Sequence, residues 1–388
     1  MLHLSQSATD PAFVQDPYPF YARARAGGDL VWWEEYNMVM ATSLAAVNAL
    51  LRDRRFGREP VTPRAFPDHL ASFYAVEAHS MLELEAPRHT RLRSLVLRAF
   101  TSRRIAGLQP EIATLAHELI DAFPAGDFDL LPAFATRIPV IIIARLLGVP
   151  EAMADDLLAW SNAMVSMYQA RRTRVIEDQA VAATEAFVAF MRRYVEDRRQ
   201  DPRDDLITQL IAAEEGGEKL STDELITTCI LLLNAGHEAT VHAMANGVKT
   251  LLEHDLRPGA DIIETASEET LRLDPPLHMF TRYAYEDIDL FGHSFKRGDE
   301  MGLLLASANR DPAGWDKPDQ FDPMRPIKPN TSFGAGAHFC VGAPLARLEL
   351  NTALPILFDR CPTLALAEAP QYADVYHFHG LKRLMVRR

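Results

Sequence analysis

Cysteine is scarce in this chain: Cys229, Cys340 and Cys361 are the only three in 388 residues. So few thiols cannot build the disulfide framework of a small secreted protein, and an odd count fits a reducing compartment. Long apolar runs are missing too. The longest, residues 138–149, is interrupted by Arg145 and is shorter than the ~20 residues a membrane span needs. The N-terminus has no basic segment followed by an apolar one, so no signal peptide is expected and the cytoplasm is the expected location. Positive charge is in deficit, with 40 Lys and Arg against 53 Asp and Glu for a net charge of −13. That balance argues against nucleic acid, whose phosphates are held by clustered cations. There is no Ser/Gly-rich linker, internal repeat or low-complexity block, and the polar breaks at 201–205 and 214–218 read as interhelical loops. A single domain over residues 1–388, working as a monomer, is expected.

What is present is an ordinary globular composition, 48% hydrophobic and 24% charged, sufficient for a large core. Helical patterning fills most of the first two-thirds. Strand-like segments are short, at 30–41, 291–295 and 300–305, with Gly298 between the last two. The expected class is mainly α with small accessory β-sheets, not an alternating α/β fold. The most distinctive helix is predicted over 221–253, where Ser221 and Glu224 form a capping-box pattern; at 1.5 Å per residue it is roughly 48 Å long. Residues 226–233 are apolar on nearly every face apart from Thr227 and Thr228, which places the helix inside the core. Asn234, Gly236, His237, Glu238 and Thr240 then interrupt the apolar pattern. A mid-helix Gly costs about 1 kcal/mol relative to Ala, and a buried carboxylate is costly without a partner, so a function is expected there. Thr240 is spaced to back-bond the Gly236 carbonyl, bending the helix and opening a groove.

The strongest signal is Phe333-Gly334-Ala335-Gly336-Ala337-His338-Phe339-Cys340-Val341-Gly342. The pattern F-G-x-G-x-H-x-C-x-G has chance odds on the order of one in a million in such a chain. Its glycines let backbone approach a flat ligand closely, and residues 343–350 read as a helix. Cys340 is thus predicted at a helix N-terminus, where the dipole and free N–H groups lower a thiol pKa and favour metal ligation. One thiolate does not hold a bare ion. Structural zinc wants about four N or S ligands at short spacing, and Cys229 and Cys361 offer none. A prosthetic group with its own equatorial ligands, haem with an axial Cys, answers this; the alternative is an inert Cys in a Gly-rich turn.

The motif resembles the haem-binding signature of the cytochrome P450 family at every defining position. The resemblance extends over essentially the whole chain, through residues 16–20 and 308–312, and implies that fold with its long central helix over the haem. It implies haem b, iron protoporphyrin IX, with Cys340 as axial thiolate ligand and Phe333, Gly334, Gly342 and Ala235 against the cofactor. His89, Arg93, Arg282 and His338 match the family's propionate-binding positions. Glu269 and Arg272 match its E-x-x-R pair, with Arg325 the arginine that joins them to hold the cysteine loop. Ala235-Gly236-His237-Glu238 resembles the oxygen-binding segment, in which Gly236 lets the helix lie against haem and Glu238 feeds protons inward. Here the chain departs from the pattern. The family usually has Thr after the acid, and this chain has Ala239, then Thr240. Either Thr240 or a water replaces the hydroxyl, or the substrate supplies one, or oxygen activation is poorly coupled. Pro355 is expected to kink the helix after the cysteine.

The implied activity is a soluble bacterial-type monooxygenase that inserts one atom of O2 into an apolar small organic substrate. Electrons would come from an external iron–sulfur ferredoxin and an NAD(P)H-dependent ferredoxin reductase, with no fused reductase or ferredoxin expected. Six arginines and no acid within residues 88–104 suggest a basic docking face; a solvated face with internal ion pairs is the plainer account. Pocket candidates are Phe66, Phe73, Tyr74, Leu232, Met279, Phe280 and Phe378, any of which could be ordinary core. Two alternatives remain open: a haem-thiolate enzyme that is peroxide-driven or reduces nitric oxide, and a non-catalytic haem sensor or carrier.

Overall fold

The computed structural model describes residues 1–388 except Arg64, Ala170, Gly216 and His377, and except the side chains of Glu214, Glu215 and Glu218. Its axis is the helix Thr222–Glu253, which begins as the capping box requires. Ser221 Oγ accepts the Glu224 N–H at 3.2 Å, and Glu224 Oε2 accepts the Ser221 N–H at 2.8 Å. Helices Arg137–Leu147, Ala154–Val165, Arg174–Gln200, Ile263–Leu273 and Ala343–Arg360 pack around it. Ile138, Ile142, Leu225, Ile230, Leu233, Met244 and Leu354 belong to one buried core, and each such side chain contributes about 1.5–3 kcal/mol by leaving water.

The apolar run that begins at Ile138 is a core helix, closed by Gly148 in the left-handed region at φ 83°, with Arg145 turned outward to Glu151 at 2.8 Å. Among the described residues no helix is long and apolar enough to cross a membrane. Of the break expected at 214–218, Gly216 lies outside the described residues; Glu214–Glu215 and Glu218–Lys219 pair as a short antiparallel ladder.

The main sheet has six strands in the order Leu2–Leu4, Leu30–Trp33, Met38–Ala41, Glu300–Leu304, Met279–Ala284 and Phe56–Gly57. The expected strand at 291–295 is shortened to His293–Phe295, which pairs with Ile288–Leu290. Met279–Ala284 was not anticipated as a strand. Its pairing is antiparallel to 300–304, with Arg282 opposite Met301, and that register fixes where Arg282 sits.

Two buried ionic sites brace the helices. Arg198 donates from Nε to Asp205 Oδ2 at 2.5 Å and from Nη2 to the Gly148 carbonyl at 3.0 Å. Asp205 also caps helix Leu206–Ala212 by accepting the Thr208 N–H at 2.8 Å. Asp205→Ala therefore strands a buried guanidinium and removes a cap, with an expected loss of about 3–5 kcal/mol. Urea unfolding followed by far-UV circular dichroism measures it, and a loss no larger than the ~1 kcal/mol of a cap would show that the ion pair adds nothing.

The second site surrounds Asp274, the residue that ends helix Ile263–Leu273. Tyr18 Oη donates to its Oδ1 at 3.0 Å and Tyr372 Oη donates to its Oδ2, while His379 Nε2 lies 3.4 Å from Oδ1. Burial pushes the His379 imidazole down to about 4, with Lys249 and Arg310 reinforcing burial against the opposing pull of Asp274. The unfolded chain takes up this proton below its ordinary value of ~6.5, so the stability from a neutral His379 is complete above that pH. It declines as pH falls from there to about 4. In denaturant midpoints measured against pH, His379→Gln is expected to flatten the slope in that window; an unchanged slope would count against a buried neutral imidazole.

Candidate active site

The cysteine loop reverses direction through Gly334 and Gly336, whose φ values of 66° and 70° lie in the left-handed region. Space demands glycine there as well. A Cβ on Gly334 would meet the Phe280 ring at 3.3 Å, and one on Gly336 would collide with the Leu51 carbonyl. The Cys340 N–H donates to the Phe333 carbonyl at 3.0 Å, and helix Ala343–Arg360 starts three residues later, continuing through Pro355. A Cβ on Gly342 would stand 3.7 Å from the Cys340 sulfur. Cys340 is the exposed cysteine, whereas Cys229 and Cys361 are buried.

The expectation of a lowered thiol pKa needs correction. The protein packed around Cys340 pushes the thiol up; the N–H groups of Gly342 and Ala343, with Arg93 and Arg347, pull it down without fully compensating. In the protein alone, the helix start moderates the cost of a thiolate and does not cancel it.

The loop is moored to the E-x-x-R helix. Thr331 Oγ1 donates to the Leu305 carbonyl at 2.8 Å, and Ser332 Oγ to the Leu271 carbonyl at 2.7 Å. Glu269 and Arg272, 2% and 1% exposed, form a bidentate pair with both contacts at 2.7 Å. Arg325 Nε donates to both Glu269 oxygens at 3.0 Å, and Arg272 Nη1 ties down the carbonyls of Asn309 and Pro318 at 2.8 and 2.7 Å. One turn of chemistry went unread in the sequence: Arg347 pairs with Glu268 and lies 4.6 Å over the Phe333 ring.

A cluster of basic groups lies behind the loop. The rings of His89 and His338 are 4.2 Å apart, and His338 Nε2 shares a 2.8 Å hydrogen bond with Glu85. Burial, with His338 adding to it, pushes His89 down to about 4. Arg282 is 2% exposed and among the described residues donates only to the neighbouring Thr281 carbonyl at 2.8 Å; burial and then Arg58 push it down to about 10. Arg93 Nη2 donates to the Phe339 carbonyl at 2.6 Å. Among the described residues neither Arg93 nor Arg282 has a carboxylate at ion-pair distance. Glu85 and Arg58 were missed by the sequence reading, since only the fold brings them here. The face at 88–104 is less basic than its sequence: Arg88 pairs with Glu59, Arg91 with Glu224 and Arg104 with Asp204.

On the long helix, Thr240 Oγ1 donates to the Gly236 carbonyl at 3.3 Å as its spacing foretold. Ala235 is exposed in the middle of an otherwise largely buried helix, with Ala239 half-buried one turn on. A Cβ on Gly236 would meet Ile143 at 3.0 Å, so its small size admits helix Arg137–Leu147. His237 is buried, with Nδ1 bound to the Leu233 carbonyl at 2.7 Å. The Glu238 carboxylate stands between His237 Nε2 at 3.5 Å and His242 Nε2 at 3.4 Å. The pocket candidates are dispersed. Leu232 and Phe73 are buried in the main core, and Phe66 is exposed and stacked on Tyr74. Met279 and Phe280 are half-buried against two smaller clusters, and Phe378 pairs with Leu277.

This mainly helical fold and its cysteine loop define a class, the haem-thiolate oxidoreductases. A family profile described as Cytochrome P450 matches residues 140–256 and 261–368. Cytochrome P450 monooxygenase PikC of Streptomyces venezuelae is 36% identical over 99% of this chain and 94% of its own. The biotin biosynthesis cytochrome P450 of Bacillus subtilis is 34% identical over 99% of both chains. The solved structure of P450BioI, in complex with hexadec-9Z-enoic acid ligated acyl carrier protein, matches with a TM-score of 0.93 at 34% identity, covering 98% of this chain and 100% of that one. The chain belongs to the cytochrome P450 family, whose members are haem-thiolate monooxygenases.

Glu269→Ala leaves two guanidiniums, one fully buried, without their anion. The expected cost is about 3–5 kcal/mol, read from denaturant unfolding, whereas Arg325→Lys, which keeps one charge contact, is expected to cost well under half of that. Equal losses in the two variants would mean that charge pairing is not what holds this segment.

Proposed function

We propose that the protein inserts one oxygen atom from O2 into an apolar small organic substrate, with haem b held by Cys340 and electrons supplied by an external ferredoxin and its NAD(P)H-dependent reductase. The observation that carries this reading is Cys340, exposed and set between closely packed glycines at the start of a helix. The residues fit the group. Arg93 and Arg282, lacking a carboxylate partner among the described residues, suit two propionates, with His89 and His338 beside them. Bidentate Arg–carboxylate pairing is strong when desolvated. Ala235 is exposed on the otherwise largely buried long helix, and it and Phe333, Gly334 and Gly342 of the cysteine loop are the residues that would lie against the cofactor.

Haem held by Cys340 would supply the oxygen chemistry, and thiolate ligation would favour O–O cleavage. The chain's part is positional and protonic. Glu238 holds a proton at its carboxylate for delivery inward, and Ala239 offers no hydroxyl to receive it. The hydroxyl of Thr240 donates to the Gly236 carbonyl and keeps its lone pairs for accepting, so a hydroxyl brought by the substrate and one supplied by Thr240 or water are the readings to be separated. P450BioI is solved with a carrier-bound fatty acid, so acyl chains belong among the substrates to be tried here. Retention of Glu238 favours an oxygenase over a peroxide-driven or nitric oxide reducing enzyme, and a sensor would need a second strong ligand, whereas His237 directs its Nε2 to the Glu238 carboxylate at 3.5 Å.

The test is a Soret-band titration of the purified protein against plain hydrocarbons, fatty acids and hydroxyl-bearing polycyclic or macrolide-like compounds. Displacement of the band by hydroxylated ligands alone is expected. An equal response to plain apolar ligands would return the missing hydroxyl to Thr240 or water, and absence of any Soret band with haem supplied would overturn the reading.

A further inference from the structure

Asp274, His278 and His379 lie outside the cysteine loop, and three separate segments bring them together. Asp274 ends helix Ile263–Leu273 and His278 immediately precedes strand Met279–Ala284. His379 follows Phe378, whose bridge to Leu277 pairs the two histidine segments, and the His379 N–H donates to the Pro276 carbonyl at 2.8 Å. All three side chains belong to buried residues, at 4%, 0% and 2% exposure. One donor atom from each lies within 4.8 Å of the other two.

Hydrogen bonds hold this cluster from outside and are missing within it. His278 Nδ1 shares a 2.9 Å hydrogen bond with Tyr21 Oη, itself 2.9 Å from Tyr376 Oη. The other ring nitrogen, Nε2, is buried without a hydrogen-bond partner. His379 Nε2 is buried and unpartnered as well, although Asp274 Oδ1 is 3.4 Å away. Stranding two ring nitrogens costs about 1–3 kcal/mol each, a penalty that a metal ion taking both lone pairs removes.

The spacing suits such an ion. Ligands bonded at ~2.0–2.1 Å in a tetrahedron stand about 3.3–3.4 Å apart, the separation of His379 Nε2 from Asp274 Oδ1. The His278 donor is at most about 1.4 Å beyond that edge, a gap that the broad χ2 torsion of an imidazole can close. The outer contacts are those a metal ligand needs, since a partner on the second ring nitrogen fixes the tautomer and orients the ring. Tyr18 Oη at 3.0 Å and Tyr372 Oη likewise orient the two oxygens of Asp274.

We propose that Asp274, His278 and His379 form a binding site for one divalent metal ion, of which Zn2+ best suits two neutral imidazoles and a carboxylate. The ion ties the end of the E-x-x-R helix to the strand that carries Arg282 and to the C-terminal segment. Two cations oppose it. Lys249 Nζ stands 3.3 Å from Asp274 Oδ2, and Arg310 lies 3.3 Å over the Tyr18 ring. Arg310 is held by the Leu273 carbonyl at 2.7 Å. Lys249 has a second carboxylate to turn to, Glu253 Oε2 at 3.7 Å. Removal of the Lys249 ammonium is therefore expected to strengthen metal binding, opposite in sign to the loss of a supporting side chain.

The probe is zinc alone, added to the chelator-treated, haem-loaded protein and counted by mass spectrometry after dialysis. The wild type is expected to retain about one zinc per chain, with an X-ray absorption edge showing imidazole and oxygen ligands. His278→Gln is expected to weaken binding by about a hundredfold or more, and Lys249→Met to tighten it by about tenfold. Equal zinc affinity in His278→Gln would mean an adventitious ion only, and sulfur scattering at the edge would place the metal on a cysteine; either overturns the site. Weaker binding in a folded Lys249→Met would count against Asp274 as a ligand. If the variants do not fold, the wild type decides alone: a chain that dialyses free of zinc has no such site.

Discussion

A guanidinium only 1% exposed is tolerable because of what surrounds it. Arg272 spends two of its donors on Glu269 and its remaining nitrogen on the carbonyls of Asn309 and Pro318, and Glu269 in turn accepts Arg325 through both oxygens. Desolvating such charges costs several kcal/mol per ion, which only near-complete pairing offsets. The arrangement therefore has one geometry in which it is affordable. That geometry sets the course of the chain from 309 to 325 and, through Ser332 and Leu271, the starting point of the cysteine loop. Glu268, next to Glu269 in sequence, extends the same support to Arg347 and so to Phe333.

Downstream of that anchor, the loop resolves a conflict between two demands on Cys340. A metal-ligating sulfur needs stabilised negative charge, and the protein packed around it penalises that charge even though the residue is exposed. The N–H groups of Gly342 and Ala343 and the nearby Arg93 and Arg347 favour the thiolate, yet burial outweighs them in the protein alone. A cation placed against the sulfur would reverse the balance, because a coordinating metal deprotonates a thiol outright. The same logic describes the buried bases nearby. Arg282, pushed down to about 10 by burial, is held in a state that an anionic ligand would relieve.

Local chemistry was legible in the sequence and long-range chemistry was not. The long helix was read to within a residue, since Ser221 and Glu224 cap it through contacts three residues apart; the Thr240 back-bond spans four. The triad of Glu269, Arg272 and Arg325 was reached through resemblance, since no local rule links residues 56 positions apart. The strand Met279–Ala284 was missed because it exists by pairing with 300–304 and 56–57. The basic face at 88–104 was overestimated for the same reason, as its neutralising acids lie 29, 133 and 100 positions away. Gly236 shows a subtler limit: the sequence marks a place where a side chain is forbidden, and only packing tells that the neighbour is Ile143.

Ala239 sharpens the question of how protons reach the centre. Where the family usually offers a hydroxyl beside the acid, this chain has a methyl group, so what lies behind the acid matters more. Glu238 here is flanked by two imidazoles. A substrate that brings its own hydroxyl would then complete a path whose protein part ends at Glu238. On this view the loss at position 239 would make proton transfer conditional on a substrate that carries the missing hydroxyl.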